Sequence, residues 1–163
     1  HPFMDGNGRT GRILNEVLLR NGGLIDRPVL FLSGFLTANR RDYYRYLMKV
    51  QRDGAWDGYL AFMLTGIERS SARVTDQVRS VQELYADTKS RCSSLGSCAG
   101  RLTDVIFSHV YTKNRFLVEA GVASRNTASR YLRALEGLGI LKGEKCGRER
   151  IYLNVGLYRI VSA

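Results

Sequence analysis

A run of some thirty residues after Trp56 constrains the fold most. Ile67, Val74 and Val81 recur every seven positions, with Ser71, Val78 and Tyr85 between them. A seven-residue apolar recurrence keeps one seam of a helix pointing at a neighbour, so the stretch predicts a long helix packed against another helix, within the chain or in a second copy, and leaves open a homodimer. Shorter helical patterns precede it. Arg9 to Arg20 carries Ile13, Leu14, Val17 and Leu18 at helical spacing and closes at Asn21-Gly22-Gly23. Pro28 suits the first turn of a short helix, and Ala38 to Arg52 follows, stopped by Asp53-Gly54. In that helix Tyr43, Leu47 and Val50 form one stripe, which is read as packing rather than as a ligand pocket.

The helical pattern fails between Ser90 and Gly100, where small residues follow one another without a period, and this segment is read as a linker. From Arg101 onward the pattern changes to short helices with tight turns. Leu102, Val105 and Ile106 mark one; Phe116, Leu117 and Ala120 mark the next, which turns at Gly121. Ser124 is placed to cap a third helix, which buries Ala128, Tyr131, Leu132 and Leu135 and leaves Arg125, Asn126, Thr127, Ser129, Arg130 and Arg133 outside. Such a surface suits phosphates and base edges. Ile140-Leu141, a turn with Lys142, Lys145, Gly147, Arg148 and Arg150, and then Ile151-Tyr152-Leu153 read as a two-stranded wing. This second module resembles a winged helix-turn-helix. Lys145, Arg148 and Arg150 then join the helix residues as candidate DNA contacts. Residues 101–163 hold 11 Lys and Arg against 5 Asp and Glu, so net +6 of the chain's +10 lies in the shorter part. That charge predicts phosphate-dominated, strongly salt-dependent attraction to DNA.

The chemistry is concentrated in His1-Pro2-Phe3-Met4-Asp5-Gly6-Asn7-Gly8-Arg9-Thr10-Gly11-Arg12. A polar, glycine-rich loop leads directly into a helix start, where exposed N–H groups attract anions. Gly6 and Gly8 let backbone approach a ligand, and the N–H groups around Asn7 can form an anion-binding concavity. Asp5 is a hard oxygen donor suited to Mg²⁺, which binds through one or two carboxylates together with substrate phosphates. Arg9 and Arg12 stand three apart on one helix face, where guanidinium forks can grip phosphate oxygens. His1 has the side chain whose unperturbed pKa suits proton removal near neutral pH, with Pro2 and Phe3 fixing the loop behind it.

His-Pro-Phe-x-Asp-Gly-Asn-Gly-Arg-x-x-Arg resembles the signature of the Fic family and matches it here at every fixed position. The likeness extends through Arg27 to Ser33 and Asn39 to Leu47, which look like the helical core after the motif. The resemblance implies a protein adenylyltransferase, a nucleotidyltransferase that moves AMP from ATP to a Ser, Thr or Tyr hydroxyl of a target protein and releases pyrophosphate. His1 would take the hydroxyl proton and Asp5 would hold Mg²⁺ against the α- and β-phosphates. Gly6, Asn7 and Gly8 would cradle phosphate oxygens; Arg9 and Arg12 would bind the polyphosphate. Doc-like toxins, which transfer the γ-phosphate, carry Asn, Ala and Lys where this chain has Asp5, Gly8 and Arg9, so adenylylation is preferred.

The expected fold class is mainly α: the C-terminal part of the Fic helical core over 1–89, a linker over 90–100, and a small α/β winged helix-turn-helix domain over 101–163. The alternatives are a DNA-binding or toxin-antitoxin-like regulator using the winged helix, and removal of AMP by the same phosphate clamp. The opening at His1 reads as a fragment lacking the upstream flap and the family's inhibitory Ser/Thr-x-x-x-Glu-Gly/Asn helix. A free α-amino group there, with a pKa of about 7.7–8.0, would disfavour protonation of the imidazole, and the isolated piece is expected to be a poor catalyst. Glu136-Gly137 is a weak likeness of the inhibitory motif, because Leu132 stands at its Ser/Thr position. Cys92, Cys98 and Cys146 lack zinc-site spacing and read as reduced structural thiols, and His109 as an ordinary helix residue. With no run of about 18 apolar residues, a membrane span is not expected and the cytoplasm is the default.

Overall fold

The computed structural model describes residues 2–147 and 149–162. They are mainly helical, with one small antiparallel sheet, as expected. The chain divides into two compact units, His1–Asp76 and Gln77–Ala163.

In the first unit, α1 (Asn7–Asn21) is followed by α2 (Leu32–Ala38), α3 (Arg40–Asp53) and the first part of α4 (Trp56–Arg91). Pro28 lies ahead of α2 rather than in its first turn; the intervening Val29 to Phe31 is irregular chain that buries Leu30. The Ala38 to Arg52 helix divides at Asn39, which separates α2 from α3. Tyr43 and Tyr46 of α3 turn inward against Phe62 of α4, with ring centroids 6.5 and 5.4 Å apart, so the stripe that includes Tyr43, Leu47 and Val50 is packing. Phe35 of α2 also meets Phe62, at 5.1 Å. This approach depends on Gly66, where an added Cβ would lie 2.6 Å from the Phe35 ring.

The second unit takes the remainder of α4, a 3₁₀ turn (Cys92–Leu95), α5 (Ala99–Ser108), β1 (Tyr111–Thr112), α6 (Asn114–Glu119), α7 (Arg125–Gly137), β2 (Leu141–Cys146), β3 (Glu149–Asn154) and α8 (Val155–Ser162). Leu102, Ile106, Leu117, Ala128, Leu132 and Leu135 are fully buried in one core, joined by Ile140, Leu141 and Tyr152 from the hairpin. The segment read as a linker is folded into this unit. Cys92 is fully buried and Ala99 nearly so, because small side chains let the 3₁₀ turn sit close against the core. The boundary between units instead falls inside α4, between Asp76 and Gln77. Near the end of α4 the seam residue Tyr85 meets Phe107 of α5 edge-on at 5.2 Å, and its neighbour Leu84 packs on Gly156 of α8, whereas Val78 of the seam stays half exposed.

The hairpin strands are longer than the sequence indicates, because Lys142 to Cys146 continue the ladder from Leu141↔Asn154 to Cys146↔Glu149. Exposed strand residues of mixed polarity carry no burial alternation to read. β1 adds a third strand, in the order β1-β3-β2, and two residues are too few to leave a periodic signal. His109 is not helical: it caps α5 in extended conformation and lies against Phe116 at 5.6 Å. Among the described residues no helix is long and apolar enough to cross a membrane.

Candidate functional site

The loop before α1 is held by its own side chains. Gly6 is the N-cap with φ of +83°, a left-handed conformation that L side chains rarely adopt, and it reverses the chain into the helix. Asn7 then returns to Phe3: its Oδ1 accepts from the Phe3 N–H at 3.1 Å and its Nδ2 donates to the Phe3 carbonyl at 2.7 Å. The Asn7 side chain is therefore a stitch that fixes the turn, and its backbone N–H, the group expected to help cradle an anion, is left to face a ligand. The Gly6 N–H donates to Asp5 Oδ1 at 2.6 Å.

The first bond of α1 runs from the Thr10 N–H to the Gly6 carbonyl, at 2.9 Å. The N–H groups of Asn7, Gly8 and Arg9 precede it and have no acceptor within the helix. They end at a hollow of about 520 Å³ lined by Asp5, Gly6, Asn7, Gly8, Arg9 and Arg12, with Phe3 and Met4 as its apolar edge. Both arginines lean toward the helix start, as helix geometry requires. Arg9 Nη2 lies 3.4 Å from Asp5 Oδ2, and Arg12 folds over Gly8, its Nη1 3.4 Å from where a Cβ would stand. Among the described residues Arg12 has no carboxylate within ion-pair distance. It also lines a neighbouring hollow of about 350 Å³ with Arg9, Ile13 and residues 30–33.

His1 lies outside the described residues, as does Arg148. The described residues hold no cluster of three or more His, Cys, Asp and Glu that could hold a metal ion. Asp5 is thus a single carboxylate, exposed at the helix start. Among the described residues its Oδ2 has the long contact to the exposed Arg9 alone, so it fits an ion that completes its shell with phosphate oxygens and water. It does not fit an ion that needs a full protein cage.

The second group of candidate residues is only partly brought together. Arg125 and Asn126 are exposed at the start of α7, and Arg130 and Arg133 are exposed farther along it. The guanidinium of Arg130 lies 5.9 Å from the Tyr131 ring centroid. Ser124 occupies the N-cap, but its hydroxyl bonds to the Thr127 hydroxyl at 3.1 Å instead of a helix N–H, so Thr127 is engaged too. Ser129 is half-buried, accepting from Asn114 Nδ2 at 2.6 Å and donating to the Arg125 carbonyl. Arg150, though exposed, grips both oxygens of Glu136, at 2.9 and 3.0 Å, while the Gly143 N–H donates to the same carboxylate at 3.0 Å. Glu136 is therefore the clasp between α7 and the hairpin, and it has no resemblance to an inhibitory glutamate in its setting. Lys145 is exposed on β2.

Sequence reasoning missed Lys113, Asn114 and Arg115, which join Arg125 and Arg150 around a hollow of about 440 Å³. They come from the chain before and at the start of α6, and only the β1–β3 pairing brings them beside the hairpin. Lys113 pairs there with Glu149 at 2.5 Å. The hydrogen bond raises the lysine above its ordinary range and holds the glutamate below its own. Elsewhere, burial pushes the Cys92 thiol up, in keeping with an inert core cysteine, and no cysteine is in a disulfide.

Comparison with protein-family models gives two matches. Residues 1–19 match the Fic/DOC family, and residues 98–157 match a model described as the C-terminal domain of SoFic-like protein adenylyltransferases. The first covers the loop and most of α1; the second covers α5 through the start of α8.

Proposed function

We propose, from the matches of residues 1–19 to the Fic/DOC family and of residues 98–157 to the C-terminal domain of SoFic-like protein adenylyltransferases, that the chain is part of a Fic-family adenylyltransferase and that its Pro2–Arg12 loop binds the phosphates of ATP for transfer of AMP to a protein hydroxyl. One observation carries this reading: the N–H groups of Asn7, Gly8 and Arg9, which lack an acceptor within the helix, and the guanidinium of Arg12, without a carboxylate partner among the described residues, converge on one hollow beside the exposed carboxylate of Asp5. Anion-directed donors fixed before the substrate arrives need no reorganisation when charge develops, which is how phosphoryl transfers are accelerated.

In the proposed reaction the Ser, Thr or Tyr oxygen of the target attacks the α-phosphorus of ATP. A phosphorus–oxygen bond forms, the bond to the β-phosphate bridging oxygen breaks, pyrophosphate leaves, and the hydroxyl proton passes to His1. Arg12 and the helix-start N–H groups stabilise the polyphosphate as negative charge moves onto the leaving group. Asp5 would hold Mg²⁺, which supplies further charge neutralisation at the phosphates. Asn7 keeps the turn in shape through its two bonds to Phe3. The test is label transfer by the full-length protein. Label should pass to protein from α-labelled ATP, be lost in His1→Ala and fall about 100-fold or more in Arg12→Ala. Transfer from γ-labelled ATP alone would overturn the assignment.

A second activity is favoured by the other unit. Its order of helices, α5, α6 and α7, followed by the β2–β3 hairpin supports the winged-helix reading, and Arg125, Arg133 and Lys145 are exposed without a carboxylate partner among the described residues. DNA binding through α7 is expected to weaken steeply with salt. A duplex titration whose affinity stays flat between low and physiological salt would remove it.

A further inference from the structure

The outer face of α3 carries a charged surface that phosphate chemistry does not use. Tyr43, Tyr46, Leu47 and Val50 face inward, so the helix presents Arg41, Arg45, Lys49 and Arg52 on one opposite stripe, at spacings of four, four and three residues. Arg45 pairs with Asp42 at 3.0 Å and Arg52 with Asp53 at 3.3 Å, both in exposed positions where such pairs hold weakly. Arg41 and Lys49 have no carboxylate partner among the described residues. Over the whole of α3, five cations stand against two carboxylates.

Between the cations lie two large apolar side chains, Met48 at 65% and Tyr44 at 49% exposure. Together with the stripe they line a groove of about 510 Å³. Arg40 lies over the Tyr44 ring at 5.7 Å, which keeps the ring standing on the surface. Aromatic residues, methionine and arginine are the types enriched where proteins meet, and methionine adapts to irregular apolar partners.

We infer that this face of α3 docks a polypeptide segment that presents carboxylates around an apolar side chain. Charge complementarity selects an acidic partner, with Arg41 and Lys49 as its free contacts. Met48 selects among acidic partners. A nucleic-acid backbone would satisfy the cations and leave Met48 and the open side of Tyr44 in water, whereas an acidic peptide covers both. The carboxylates take the ends of the stripe, and the apolar side chain sits over Met48 in its middle.

The test uses the whole chain and three probes, read by fluorescence anisotropy: a short labelled peptide with glutamates around a central pair of leucines, a polyglutamate peptide of equal length and charge, and a duplex oligonucleotide. The leucine-bearing peptide should bind most tightly of the two peptides, and the Arg41→Glu/Lys49→Glu double variant should weaken it about tenfold or more. Met48→Ser should weaken it about threefold while leaving polyglutamate unchanged. All three substituted side chains are exposed, and an unchanged far-ultraviolet circular dichroism spectrum checks the fold. The inference is overturned by any of three results: no binding of the leucine-bearing peptide, equal affinity in the double variant, or loss in that variant confined to the oligonucleotide.

Discussion

The helix that carries the phosphate loop and the helices of the second unit are built on opposite terms. α1 has no buried residue, and Ile13, Leu14, Val17 and Leu18 are between 45 and 64% exposed. α5 and α7, of similar or shorter length, bring Leu102, Ile106, Ala128, Leu132 and Leu135 to complete burial. The apolar periodicity is as clear in one as in the other. What differs is whether neighbouring residues supply a facing surface: the second unit closes its core with its own hairpin, whereas the face of α1 has no such cover among the described residues. Order in the front unit's loop therefore comes from local bonds, chiefly Asn7 to Phe3 and the Gly6 turn, rather than from burial.

The sharpest way to break this contrast is to remove the same number of methylenes from each region. Ile106→Ala leaves a cavity in a fully buried site and is expected to cost about 2–5 kcal/mol, read as a lower urea midpoint of the second unit's transition. Leu14→Ala on α1 is expected to change stability by less than about 0.5 kcal/mol. Equal costs would show that the α1 face is covered in solution.

The residues that sequence reasoning located well are those whose signal is periodic or dense. The inward face of α7, with Ala128, Leu132 and Leu135 buried and Tyr131 partly so, is legible because these residues recur at the i, i+3, i+4, i+7 spacing of one helix face. The loop was legible because glycine, carboxylate and arginine types fall within twelve residues. What was not legible depends on distant residues meeting. Arg150 reads as a DNA contact until Glu136 is seen to hold it, and Ser90 to Gly100 reads as a linker until Cys92 and Ala99 are found in the core. Small residues permit flexibility, but they equally permit close packing, and composition does not separate the two.

The Glu136 clasp offers a second, smaller measurement. Glu136→Gln keeps the size of the side chain and one acceptor for the Gly143 N–H but removes the charge that Arg150 grips. The pair is half-exposed, so the expected loss is about 1 kcal/mol, well below that of the core cavity. If α7 and the hairpin are held mainly by this clasp rather than by Leu132, Leu135 and Leu141, the order of the two losses reverses. A freed Arg150 would also join the exposed cations of the unit, so the same variant should bind duplex DNA somewhat more tightly at low salt.

The smallest effect is expected at Lys113–Glu149, which joins the start of α6 to β3 at the protein surface. Its hydrogen bond holds Glu149 below the ordinary carboxylate range. A carboxylate depressed by folding contributes stability that is fully present above its unfolded pKa and lost as the pH falls through its folded one. The lysine, raised by the same bond, contributes stability that is present below its unfolded pKa and lost as the pH rises through its folded one. The pair should therefore hold across neutral pH and weaken at both acidic and strongly basic extremes. Lys113→Met removes both dependences, so the difference in urea midpoint between the two proteins should narrow as the pH is lowered through the carboxylate range. A difference that stays constant there would mean that Lys113 stabilises the second unit through the packing of its methylenes against the strand and not through its charge.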